Sequence, residues 1–89
     1  MTRGPSQPKV TIYHAQGCHL CERARAVVAA ARQDCAFELE EVDVTGDPEL
    51  EARYREWLPV VEIGGERAFV FYVDAGAFRR KVQAQTSGA

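Results

Sequence analysis

The stretch that decides the fold is VTIYHAQGCHLC, residues 10–21. Apolar Val and Ile alternate with Thr and Tyr at its start, which predicts a β-strand over Lys9–His14. Gly17 interrupts this pattern, and residues 18–33 then carry strong helix formers with apolar side chains at helical spacing. The stretch therefore predicts a strand that turns directly into a helix, with two cysteines at the turn.

The rest of the chain predicts three more strands and two more helices. Composition favours a second strand over residues 37–44, and Asp47-Pro48 supplies the N-cap and the first residue of a second helix. Gly64-Gly65 separates two apolar runs and predicts a β-hairpin, and Asp74 is the expected N-cap of a last helix. The order is β-α-β-α-β-β-α. This is an α/β fold whose mixed sheet combines a parallel pair with antiparallel strands and is covered by helices on both faces.

Length and composition indicate one small domain. The chain has 89 residues, of which 46% are apolar and 27% charged, so it has enough apolar side chains for a packed core. We expect the domain to span residues 9–83, with disordered tails over residues 1–8 and 84–89, because neither end shows periodicity. A domain of this size buries only about 60–65% of its unfolded surface, which predicts a site at an edge rather than in a cavity.

The charge balance argues against nucleic acid and membrane partners. Eleven basic and thirteen acidic residues give a net charge of −2, whereas nucleic-acid-binding surfaces are basic. No apolar run approaches the roughly 18 residues that a membrane span needs, and residues 1–8 contain no apolar signal core. We therefore expect a cytoplasmic protein.

Cys18 and Cys21 form a Cys-x-x-Cys pair at the predicted start of the first helix. The free N–H groups of a helix start stabilise an anion, so Cys18 is the candidate thiolate nucleophile. Cys21 follows within the first turn and is the candidate resolving thiol, which would displace the product after Cys18 has attacked a disulfide. An outside thiol must then reduce the pair. Cys35 stands apart and is expected to be a small buried or half-exposed thiol.

Other uses of such a pair remain open. Half a zinc site has the same spacing, but no second cysteine pair follows in this chain. The leading interpretation is a thiol–disulfide oxidoreductase that needs no cofactor and has no metal site. The alternative is a module in which the two thiolates, with glutathione or a second subunit, hold an iron–sulfur cluster or a zinc ion. A third interpretation is a redox-inert interaction domain. The intact cysteine pair argues against it.

Residues 9–83 resemble the glutaredoxin-like branch of the thioredoxin superfamily in three places. These are residues 10–13 leading to Cys18-His19-Leu20-Cys21, the segment Leu58-Pro59-Val60-Val61, and the turn Ile63-Gly64-Gly65. The resemblance implies the strand order 2-1-3-4 and a cis Leu58–Pro59 bond beside the two sulfurs. It also implies that the backbone of Leu58 binds the substrate chain.

Four positions bear on the substrate that the resemblance implies. Glutaredoxins that use glutathione carry Lys or Arg three residues before the first cysteine, where this chain has Ala15. They also carry Gly-Gly near the last strand, where this chain has Phe71-Tyr72, while Asp74 matches the substrate-binding acid that follows. Side chains at 71 and 72 narrow the approach of a tripeptide. The resemblance therefore implies a disulfide-bearing protein or a small thiol as substrate. The reductant is expected to be glutathione or a reductase. Use of glutathione is expected to be weak, because these contacts are missing.

Two neighbours of the cysteine pair are expected to adjust its chemistry. His19 follows Cys18 and stabilises a thiolate when protonated, although it also fits an ordinary exposed helix-start residue. Glu22 lies one helical turn after Cys18 and opposes its negative charge. Trp57 is expected to pack in the core or at its rim, and its place two residues before Pro59 leaves a position beside the same site as the alternative.

Overall fold

The computed structural model describes residues 7–87 of the chain. The strands are β1 (Lys9–His14), β2 (Glu38–Asp43), β3 (Val60–Ile63) and β4 (Glu66–Val70). The helices are α1 (His19–Ala31), α2 (Pro48–Tyr54) and α3 (Ala75–Ser87), and a 3₁₀ turn over Arg55–Trp57 follows α2. The predicted order β-α-β-α-β-β-α is therefore confirmed.

The four strands form one mixed sheet in the order β2-β1-β3-β4. β1 runs parallel to β2 and antiparallel to β3, and β3 runs antiparallel to β4. Ile12 of β1 lies opposite Glu41 of β2 and Val61 of β3. The strand order 2-1-3-4 that the family resemblance implied is confirmed.

Each face of the sheet carries its own hydrophobic cluster, because successive side chains of a strand point to opposite faces. The larger cluster joins the sheet to α1 and α3 and includes Val10, Ile12, Ala24, Val28, Ala31, Cys35, Phe37, Phe78 and Val82. The smaller one joins it to α2, where the ring of Tyr13 stacks on that of Tyr54 with centroids 4.0 Å apart. Helices therefore cover both faces, as predicted.

Side-chain caps explain where α2 and α3 begin. The Asp47 carboxylate accepts hydrogen bonds from the backbone N–H groups of Glu49 and Leu50, both at 3.1 Å, and Pro48 occupies the first helical position. The Asp74 carboxylate accepts from the N–H of Ala77 at 2.8 Å. Both predicted N-caps are confirmed.

The predicted C-terminal boundary is wrong, because α3 continues to Ser87 instead of stopping at residue 83. The side-chain amide of Gln85 donates a hydrogen bond to the backbone carbonyl of Ile63 at 3.0 Å, which ties the polar end of α3 to the β-hairpin. Residues 88–89 of the predicted C-terminal tail lie outside the described residues, as do residues 1–6 of the N-terminal one. Gln7 and Pro8 precede β1 without belonging to a strand or helix.

Candidate active site

The loop between β1 and α1 presents the cysteine pair. Gly17 has a φ of 75°, a conformation that an L side chain rarely adopts, and this lets the chain reverse into the helix. The N–H of Gln16 donates to the hydroxyl of Thr45 at 2.9 Å, and the N–H of Val44 donates to the carbonyl of His14 at 2.8 Å. The loop that precedes Cys18 is thus fastened to the segment that follows β2.

Cys18 and Cys21 are joined by a disulfide, with their Cα atoms 5.2 Å apart. Cys18 is the N-cap of α1, and its sulfur accepts a hydrogen bond from the backbone N–H of Cys21 at 3.1 Å. Cys18 is half-buried, whereas Cys21 is only 1% exposed and packs into the protein. The first cysteine of the pair is therefore partly open to solvent while the second is covered.

The Leu58–Pro59 peptide bond is cis, as the family resemblance implied. Tyr13 lies opposite Val60, so the residues before β3 share one end of the sheet with the loop that carries Cys18. Pro59 is buried, and the half-buried Leu58 has extended backbone angles, φ −66° and ψ 143°. This end of the sheet therefore places an extended segment of chain beside the cysteine pair.

Phe71 follows β4 at the same end of the sheet, because Val70 pairs with Val60. Its backbone N–H donates to the carbonyl of Pro59 at 3.0 Å, and its φ is 69°, a left-handed conformation that is strained for a bulky residue. Its ring lies 6.1 Å from that of Trp57, centroid to centroid. The sequence predicts that the side chains of residues 71 and 72 narrow the approach of a tripeptide. No local pattern indicates that Phe71 has a backbone conformation typical of glycine.

Exposed apolar side chains border the cysteine pair. Leu20 is 45% exposed, Trp57 45%, Phe71 43% and Tyr72 69%. Leu20 shares the helical spacing of Ala24 and Val27, which predicts that it faces the core. That prediction is wrong. It lies in the first turn of α1 and faces residues 71–73 across a groove instead of facing the sheet.

The remaining predicted site residues lie around the start of α1 and of α3. His19 and Glu22 are exposed in the first turn of α1, and the N–H of Glu22 donates to the carbonyl of Cys18 at 3.1 Å. Asp74 is exposed and uses one carboxylate oxygen to cap α3. Ala15 is half-buried and supplies no charge to the site.

Two further properties bear on the candidate functions. Within residues 7–87, no group of three or more His, Cys, Asp or Glu side chains could hold a metal ion. No helix in this part of the chain is long and apolar enough to cross a membrane.

Fold and site together define a class of protein. A four-stranded sheet in the order 2-1-3-4, a disulfide-bonded Cys-x-x-Cys pair at the start of the first helix and a neighbouring cis-proline are the features of the thioredoxin fold. Residues 9–84 match the glutaredoxin-like domain (DUF836), and the chain belongs to that family.

Relatives and solved structures agree with this assignment. Uncharacterized proteins of Mycobacterium tuberculosis and Mycobacterium bovis are 29% identical over 89 residues, which cover 94% of this chain and 92% of theirs. A structural genomics target from X. campestris is 31% identical, with a TM-score of 0.70 over 84% of this chain and 96% of its own. A mutant thioredoxin from Halobacterium salinarum is 17% identical and shares the fold, with a TM-score of 0.69 over 91% of this chain and 76% of its own.

Proposed function

We propose that this protein is a thiol–disulfide oxidoreductase that exchanges disulfides with a protein or small-thiol substrate through Cys18 and Cys21. The observation that carries the proposal is the position of the Cys18 sulfur. It caps a helix N-terminus, accepts a hydrogen bond from the N–H of Cys21 and belongs to the more exposed residue of the pair. The same N–H and the helix dipole favour a thiolate at this position once the pair is reduced.

In the proposed reaction the Cys18 thiolate attacks one sulfur of the substrate disulfide. That bond breaks, a mixed disulfide forms, and the first substrate thiolate leaves and takes a proton from water. Cys21 then loses its proton and attacks the Cys18 sulfur, which breaks the mixed disulfide and releases the second thiolate. The substrate gains two electrons and the chain loses two as the Cys18–Cys21 disulfide. Two thiols of an external reductant restore the pair and leave as a disulfide.

Leu58, Pro59 and Asp74 are proposed to bind the substrate. The extended backbone at Leu58 is suited to pair with an extended peptide next to its disulfide, and the buried ring of Pro59 fixes the position of that backbone. Asp74 keeps an exposed carboxylate near the end of β4 that could accept hydrogen bonds from a substrate amine. His19 and Glu22 are proposed to adjust the charge around Cys18 from opposite directions.

The test is turnover of a protein disulfide, such as that of insulin, with an external dithiol as reductant. Cys18→Ser is expected to abolish turnover, and Cys21→Ser is expected to stop at a mixed disulfide that mass spectrometry detects. Cys35→Ser is the matched control, because Cys35 is buried in the larger cluster. Absence of turnover by the unmodified chain with dithiol, glutathione and thioredoxin reductase alike would refute the proposal.

A metal-binding role would need ligands from outside the described residues, since no group of three ligands occurs among them. Ultraviolet–visible absorption of the freshly isolated protein distinguishes the two functions. An iron–sulfur cluster would absorb visible light, whereas a dithiol enzyme is expected to be colourless. The cytoplasmic location stays a prediction.

A further inference from the structure

A groove lies between α1 and the segment that follows β4. The walls come from Leu20, Ala24 and Val27 on one side and from residues 71–73 on the other, and Arg23 lies at the rim. The groove holds a volume of about 50 Å³. Apart from Arg23, its lining consists of apolar and aromatic side chains.

The groove begins inside the Cys-x-x-Cys motif, because Leu20 stands between the two cysteines. From Leu20 to Val27 it follows α1 for about 10 Å, at 1.5 Å per residue. The opposite wall is fastened to the same site, since the N–H of Phe71 is bonded to the carbonyl of Pro59. A chain bound across Cys18 would therefore have its next side chains above this groove.

The walls are held in place on both sides. Ala24 and Val73 are buried, and the left-handed backbone of Phe71 is a conformation that persists only where its surroundings enforce it. Such strained residues cluster at sites that bind ligands. The groove is thus a built feature of the active-site edge.

Size and charge point to what the groove would take. A volume of about 50 Å³ has room for about four water-sized groups, which matches the end of a leucine or isoleucine side chain. Arg23 forms no ion pair with any residue between 7 and 87, where the three ion pairs use Lys9, Arg25 and Arg79. Its neighbours one helical turn away, His19, Leu20, Ala26 and Val27, include no acid.

We propose that this groove selects protein substrates: it receives an aliphatic side chain next to the substrate's disulfide cysteine, and Arg23 pairs with an adjacent carboxylate. The unpaired charge of Arg23 beside an apolar floor is the complement of an aliphatic residue followed by an acid. The proposal rests on the oxidoreductase function proposed above and names its substrate class.

The test compares three short peptides, each with one cysteine in a mixed disulfide with the same coloured aromatic thiol. The cysteine is followed directly by Leu-Asp, by Leu-Lys or by Ala-Asp. The second-order rate constant for release of the aromatic thiol by the reduced protein is measured for each. The Leu–Asp peptide is expected to react about fivefold faster than the Leu–Lys peptide. It is expected to react about tenfold faster than the Ala–Asp peptide.

Charge reversal then isolates Arg23. Arg23→Glu is expected to invert the ratio of the Leu–Asp and Leu–Lys rate constants. Because both rate constants are measured on the same variant, a change in the reactivity of Cys18 cancels from their ratio. Arg80→Glu makes the same charge change at an exposed position of α3 outside the groove, and it is expected to leave the ratio as it is.

The outcomes separate the two proposals. The symmetrical disulfide of the same aromatic thiol contains no peptide. If the reduced protein does not react with it, the oxidoreductase function is contradicted and the groove proposal fails with it. A protein that reacts with this reagent but treats all three peptides alike overturns the groove proposal only. A stable dimer that dissociates on Tyr72→Ser would assign the exposed apolar side chains to a second copy of the chain and would also overturn it.

Discussion

Exposure separates the chemical behaviour of the three cysteines. Cys18 is half-buried, Cys21 is 1% exposed and Cys35 is 7% exposed. When the reduced protein is treated with limiting iodoacetamide, Cys18 is expected to be alkylated first, because its sulfur is both open and stabilised as a thiolate at a helix N-terminus. Peptide mass mapping gives the order of labelling. Labelling of Cys21 or Cys35 ahead of Cys18 would show that the roles are assigned wrongly.

Two charged neighbours are expected to shift the Cys18 pKa in opposite directions. A helix N-terminus stabilises an exposed anion by about 0.3–1 kcal/mol, and the Glu22 carboxylate one turn on opposes it by a similar amount. Glu22→Gln is therefore expected to lower the pKa of Cys18, and His19→Ala to raise it by removing an imidazole that stabilises the thiolate when protonated. Both shifts should shrink in high salt because both side chains are exposed. Ultraviolet absorbance of the thiolate against pH, in a Cys35→Ser background, measures them. An unchanged or raised pKa in Glu22→Gln would place that carboxylate away from the sulfur.

At the scale of elements, the contact between β1 and α2 predicts a loss of stability at alkaline pH. A hydrogen bond with Tyr54, followed by burial and the charge of Glu62, raises the pKa of Tyr13 from its ordinary 10 to about 12. In the unfolded chain the phenol loses its proton at about pH 10. As the pH rises, Tyr13 therefore loses its proton in the unfolded chain before it does so in the folded protein. The stabilisation from Tyr13 is present below about pH 10 and is lost toward pH 12.

Tyr13→Phe removes this titration. The variant is expected to lose less stability than the wild type between about pH 9 and 11, as measured by urea unfolding at each pH. Tyr72→Phe is the control, because Tyr72 is exposed and its ring does not belong to the smaller hydrophobic cluster, which contains Tyr13 and Tyr54. Equal slopes of stability against pH in the wild type and Tyr13→Phe would contradict the coupling.

The segment after β4 predicts an inverted preference between two small residues. Phe71 has a φ of 69°, where glycine is at ease and alanine is not. Phe71→Gly and Phe71→Ala both remove the ring that packs near Trp57, so that loss cancels between them. The glycine variant is expected to be the more stable by about 1 kcal/mol, in spite of its greater unfolded-state entropy. Urea unfolding of the pair decides the matter, and an alanine variant of equal or greater stability would contradict the strained conformation.

Local patterns sufficed for most elements, and tertiary contacts decided the rest. Period-two alternation in β1 and the caps Asp47 and Asp74 act within a few residues, so the sequence reveals them. The end of α3 depends on the hydrogen bond from the side chain of Gln85 to the carbonyl of Ile63. These residues are 22 positions apart, so no local sequence pattern predicts the contact. The same holds for Phe71, whose N–H donates to the carbonyl of Pro59, 12 residues earlier in the chain.

The candidate site was foreseen to a similar extent. The spacing of Cys18 and Cys21 is visible in the sequence and indicates disulfide chemistry. The family resemblance implied the cis bond before Pro59. The exposure of Leu20 was missed, because helical periodicity cannot show that Cys21 takes the buried position in the first turn of α1 while Leu20 lines the groove. The groove at that place is a property of two segments about 50 residues apart in the chain, which meet only in the folded protein.

For the molecule as a whole, the charges and side chains around the cysteine pair predict a poor match to glutathione. Ala15 supplies no cation for a glutathione carboxylate, and Phe71 and Tyr72 occupy the approach at the end of β4. Turnover with glutathione and its reductase is therefore expected to be weak beside turnover with thioredoxin reductase or a dithiol. Ala15→Lys places a cation beside the site, and it is expected to raise the glutathione rate about threefold, a typical worth of one exposed charge pair. The rate with a protein disulfide and a dithiol should change less, and that ratio of rates is the measurement. Robust turnover of the unmodified chain at millimolar glutathione would mean that the tripeptide binds without these contacts, and that the side chains of Phe71 and Tyr72 do not stand in its way.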